Sequence, residues 1–92
     1  MIDSQLDLFV RDHRSVIDEA DARLEAYNAA GRDAAEELYG DYLDAVETGT
    51  EILADMRDHY ARALDQPERY VSEFNTAVKR RLPPFALEIE NR

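Results

Sequence analysis

Cysteine is absent from the 92 residues, which removes disulfide staples, thiolate zinc sites and a cysteine nucleophile at once. Lysine occurs once, as Lys79, and glycine only three times, with no phosphate-binding glycine loop among them. No apolar run approaches the ~20 residues that a bilayer span requires. The opening Met1-Ile2-Asp3-Ser4-Gln5 has neither a basic stretch nor an apolar core, so no signal peptide is expected. A chain this short buries only about two thirds of its unfolded surface, and its core is marginal unless something reinforces it.

Acidic residues dominate what is present. Twenty-one Asp and Glu stand against eleven Lys and Arg, a formal net charge of −10. Such a surface repels nucleic acid and anionic membranes at long range, so neither is an expected partner. Ten of the eleven cations are arginines, unlike the Lys-plus-Glu pattern of thermophile ion-pair networks. An Asp/Glu-rich, Lys-poor, Ala-rich composition instead resembles proteins of salt-loaded cytosols, where screening relieves self-repulsion. A halophilic, cytoplasmic protein is the expectation.

Three segments carry helical periodicity. Leu6, Phe9, Val10, His13, Val16, Ile17, Ala20, Leu24 and Tyr27 are spaced by threes and fours, predicting a helix over 5–29. Gly31 is its expected left-handed stop. A second helix is predicted over 34–64, with a seam of Tyr39, Tyr42, Val46, Gly49, Leu53, Met56, Tyr60 and Ala63. A flanking row of Leu38, Ala45, Ile52 and His59 recurs every seven residues. A third helix is predicted over 67–82, opened by Pro67 and ended by Pro83. Ser4/Asp7, Asp33/Glu36 and Asp65/Glu68 have capping-box spacing at the three starts. In 83–92, Phe85, Leu87 and Ile89 alternate with Ala86, Glu88 and Glu90, the period of an extended tail.

The expected architecture is all-α: an antiparallel hairpin of two long helices, a short third helix (together a 1–82 domain) and the 83–92 tail. Seam plus flank is wider than one coiled-coil partner covers. Leaving several large side chains wet forfeits about 1.5–3 kcal/mol each, so a second copy completing a dimeric four-helix bundle is expected. Its interface would use Leu38, Tyr39, Tyr42, Val46, Gly49, Ile52, Leu53, Met56 and Tyr60. Gly49 in the seam reads as a notch for close backbone approach or for an aromatic ring. Gly49→Leu should therefore be damaging, and Gly40→Ala neutral or stabilising.

Candidate chemistry is sparse. Glu47, Glu51, Asp55 and His59 form an i, i+4 row on one helix face, the raw material of a ferritin-like metal site. Such sites need Glu-x-x-His spacing from paired inward faces, whereas the spacing here is Asp55-x-x-x-His59, and a solvated acidic face is the simpler reading. His13 lies in an apolar stripe and reads as a hydrogen-bonded boundary residue. Ser4, Ser15 and Ser72 fall in no hydrolase motif. Lys79-Arg80-Arg81 sits in a last helical turn, where cations complement the helix dipole. Length and shape invite comparison with the small helical-hairpin proteins of type VII export, but their Trp-x-Gly turn is replaced here by Asn28-Ala29-Ala30-Gly31.

No catalytic residue, cofactor or metal is assigned. The function expected from sequence is that of a non-enzymatic interaction protein: a homo-oligomeric scaffold, adaptor or regulatory subunit. It would act through acidic helix faces and an apolar tail (Phe85, Leu87, Ile89) that docks on itself or on another protein. The alternatives are the ferritin-like metal bundle and an acidic regulator that sequesters a basic protein.

Overall fold

The computed structural model describes all residues, Met1 to Arg92. Every regular element is helical, in keeping with the all-α expectation: α1 (Ile2–Asp12), α2 (Arg14–Ala29), α3 (Arg32–Ala61), α4 (Pro67–Arg81) and α5 (Ala86–Ile89), with a 3₁₀ turn at Pro83–Phe85. The molecule is elongated, 51 × 24 × 18 Å. No helix is long and apolar enough to cross a membrane.

The predicted first helix is two. At His13 the backbone leaves the helical region (φ −124°, ψ 34°), and the next helix starts from its carbonyl, which accepts the Val16 N–H at 3.0 Å. Neither glycine nor proline causes the break. It is tertiary: α1 packs on α4, and α2 runs along α3. One straight rod could not lay Leu6 and Phe9 on the first surface and Ala20 on the second. All three are fully buried. His13 stays half-buried against the Phe9 ring, 5.4 Å between centroids.

The caps also differ from expectation. Gly31 is extended (φ −75°, ψ 171°), opens α3 and has no left-handed character. The chain turns back through the extended pair Ala30–Gly31, so the left-handed cap is not needed. Helices α1, α3 and α4 start at Ile2, Arg32 and Pro67, and none has a side-chain cap. Ser4 and Asp33 lie inside first turns, while Asp65 precedes the Gln66 cap. Asp3, Asp33 and Glu68 instead complement the N-terminal ends of the helix dipoles.

The tail is a helical turn rather than an extended strand. Phe85 and Ile89, four residues apart, are both fully buried, whereas Leu87 between them is 85% exposed. An i, i+4 pair shares a helical face; the alternation seen in sequence is the same spacing sampled by twos. Phe85 enters the core where Gly49 leaves room. A Cβ built on Gly49 would overlap the Phe85 ring, and Phe9 packs edge-to-face with that ring at 6.0 Å.

The core therefore gathers at one end, from α1, the first part of α2, the second half of α3, α4 and the tail. Its largest fully buried members are Phe9, Phe74, Phe85, Leu6, Leu53 and Ile89. Along α3 the buried face steps by fours, Ala45–Gly49–Leu53–Arg57–Ala61. The predicted seam follows it to Leu53 and then diverges, for Met56 and Tyr60 are half-buried and Ala63 is exposed. A heptad seam advances 3.5 residues per turn and a straight helix 3.6, so the two drift apart along a long helix.

Candidate interaction surface on the α2–α3 arm

Beyond this core, α2 and the first half of α3 project as a pair. Not one residue from Asp21 to Asp44 is buried. The apolar side chains of this arm are covered only in part, and of them Tyr42 alone packs against the core. Leu24, Tyr27, Leu38 and Tyr42 are half-covered, while Tyr39 and Leu43 are 46% and 43% exposed. The Tyr27 ring from α2 meets Tyr39 from α3 at 5.2 Å, and Tyr39 meets Tyr42 at 6.4 Å. Three phenol rings from two helices thus form a continuous ladder along one edge. Partial burial pushes the Tyr42 hydroxyl above the usual tyrosine range, and the neighbouring Tyr39 and Asp21 disfavour its anion further.

The arm is also the acidic end of the molecule. Residues 21–44 hold seven carboxylates and two arginines, a formal −5, half of the chain's −10. Arg23 is engaged internally, 2.6 Å from Glu19 and 3.5 Å from Asp41. Those contacts raise the Arg23 pKa above its ordinary value, the hydrogen bond to Glu19 first among the causes.

The nine residues expected at an oligomer interface divide into two groups. Val46, Gly49 and Leu53 face the chain's own core and are covered by it. Leu38, Tyr39, Tyr42, Ile52, Met56 and Tyr60 remain half-buried or exposed. Of the tail residues, Phe85 and Ile89 are locked inside and only Leu87 is free. The four candidate metal ligands are exposed and do not converge. Glu47 and Glu51 are bridged by Arg92 at 3.4 and 3.3 Å, whereas Asp55 and His59 line a separate shallow groove with Gln5 and Leu8. Within the single chain no opposing helix brings a second carboxylate pair to this row.

The basic cluster is tied down. Arg81 reaches Asp7 at 2.5 Å and donates to the Asp3 carbonyl at 2.9 Å, Arg80 lies 3.5 Å from Asp3, and Lys79 pairs with Glu90. These contacts join the start of α1 and the tail to the end of α4.

Arg57 went unnoticed in the sequence. It is 2% exposed, and its guanidinium donates to Asp58 at 2.8 Å, Asn75 at 3.0 Å and the Ile89 carbonyl at 3.0 Å. Its position four residues after Leu53, on the buried face, was the available signal. A second polar tie, Tyr70 Oη donating to Gln5 Oε1 at 2.7 Å, joins α4 to α1. Burial raises the Tyr70 pKa, and the hydrogen bond to Gln5 offsets part of that rise. The chain matches no protein-family model, no curated protein and no solved structure.

Proposed function

We propose that this is a non-enzymatic helical interaction protein, a scaffold or adaptor, and that the α2–α3 arm is its working surface. The observation that supports this reading is the tyrosine ladder, with Leu24, Leu38 and Leu43, on a helix pair in which nothing from Asp21 to Asp44 is buried. Half-covered side chains on a two-helix layer gain more burial when a third or fourth helix is laid against them. A second copy would do this as the dimeric four-helix bundle expected from sequence, and a helix from another protein would cover the same side chains. The tail, with Phe85 and Ile89 inside, acts in this reading as a fastener of the folded end.

Sedimentation equilibrium and peptide binding by the wild type and by Tyr39→Ser/Leu43→Ser test the proposal. The double variant should keep its unfolding free energy within about 0.5 kcal/mol, because both sites lie outside the core, and should lose association. A wild type that neither self-associates nor binds an added helical peptide, or a variant that associates unchanged, would remove the arm from consideration.

A further inference from the structure

We propose that the tyrosine edge of the arm binds an arginine-bearing amphipathic helix of another protein; this rests on the arm being the working surface and adds the chemistry of its occupant. Half of the apolar strip is aromatic. The ring centroids of Tyr27, Tyr39 and Tyr42 stand 5.2 and 6.4 Å apart in turn along the ladder, and Tyr39 at its middle is 46% exposed. Cations are attracted to such rings, arginine in particular because its flat guanidinium stacks on them. Carboxylates lie beside the strip: Glu19 and Asp41 line a shallow groove together with Leu38, and Asp21 disfavours the Tyr42 anion.

Charge then selects among occupants. The arm carries −5, and Arg23, one of its two cations, is already held by Glu19 and Asp41. Two arms laid side by side would bring −10 into one four-helix contact, and like charges across an interface oppose association. A helix with leucines on one face and arginines beside them covers the strip and neutralises its border together. The helix-in-groove mode needs an apolar stripe only a few turns long. Residues 21–29 of α2 and 32–44 of α3 offer that length, roughly 14–20 Å at 1.5 Å per residue.

The test uses the full-length chain and fluorescently labelled synthetic peptides with leucines at i, i+3, i+4 and i+7 and arginine, lysine or glutamate at the remaining positions. Anisotropy titrations should show the arginine peptide binding several-fold more tightly than the lysine peptide, and the glutamate peptide not at all. Raising the salt from about 0.1 M to about 1 M should weaken the arginine complex at least tenfold, as screening shortens the range of the attraction. Asp21→Asn/Tyr39→Ser should lose at least tenfold in affinity. Asp65→Asn/Glu68→Gln, exposed carboxylates at the other end of the molecule, should change it less than twofold. Equal losses from both variants would show attraction to net charge alone, and equal binding of the glutamate peptide would show an apolar contact without charge selection; either overturns the proposal. A chain that dimerises, and whose dimer Tyr39→Ser dissociates, would also overturn it, while leaving the arm as the working surface with a second copy as its occupant.

Discussion

The two halves of α3 are built from similar residues and have different fates. From Ala45 to Ala61 the helix meets α4 and the tail in addition to α2, and eight of its positions are buried. From Arg32 to Asp44 it meets α2 alone, and none is buried. Leucine, tyrosine and alanine occur in both halves. Apolar content by itself therefore does not make a core; a third layer does, because a helix pair can cover only one stripe on each member. The difference separates a folded end that holds its shape internally from an arm whose surface is left available.

The most forceful way to break this contrast is Gly49→Leu. The added side chain must displace the Phe85 ring, which is enclosed between α3 and Phe9, and overpacking of this kind costs about 3 kcal/mol at the upper end of its usual range. A drop of that size in urea-unfolding free energy is a large fraction of a total of roughly 5–15 kcal/mol. Combining Gly49→Leu with Phe85→Ala should cost less than the two single changes added together, since the second vacates the space the first fills. Simple additivity would mean that the notch and the ring are not coupled.

Arg57→Met comes next. It keeps the aliphatic stem while leaving the Ile89 carbonyl and the Asn75 side chain without their donor. The expected loss is about 2–3 kcal/mol, accompanied by faster amide exchange in 86–91. Loss of stability without faster exchange there would mean that Arg57 does not fasten the tail.

The smallest effect belongs to the arm. No atom lies within 4 Å of a Cβ built on Gly40, so Gly40→Ala should gain up to about 1 kcal/mol from helix propensity alone. A loss in the same urea titration would mean that the Gly40 surface is already occupied in solution. The pair Gly49 and Gly40 thus sharpens the comparison: one glycine is required by what it faces, the other faces nothing.

The helical class, the three regions of helix and the Gly49 notch were legible because 3.6-residue periodicity and a glycine among large residues are local signals. The His13 break was not, since residues 5–29 keep one unbroken stripe and only the demand of packing on two different surfaces splits it. The tail misled because Phe85, Leu87 and Ile89 fit alternation by twos as well as a pair at i, i+4. The arm was half legible. Tyr39 and Tyr42 were expected at an interface, but sequence alone could not divide the seam between residues the chain covers itself, such as Leu53, and those it does not. Arg57 was hidden by its type, as an arginine is ordinarily read as surface.

The clasp of Phe85 and Ile89 over α3 also imposes an order in time. Its two sides lie more than thirty residues apart in the chain, whereas α2 and α3 adjoin through a two-residue link. As the polypeptide leaves the ribosome, the arm can assemble from neighbouring segments, but the face around Gly49 and Leu53 stays uncovered until the last helical turn has been made. Until then that apolar face is open to misassociation.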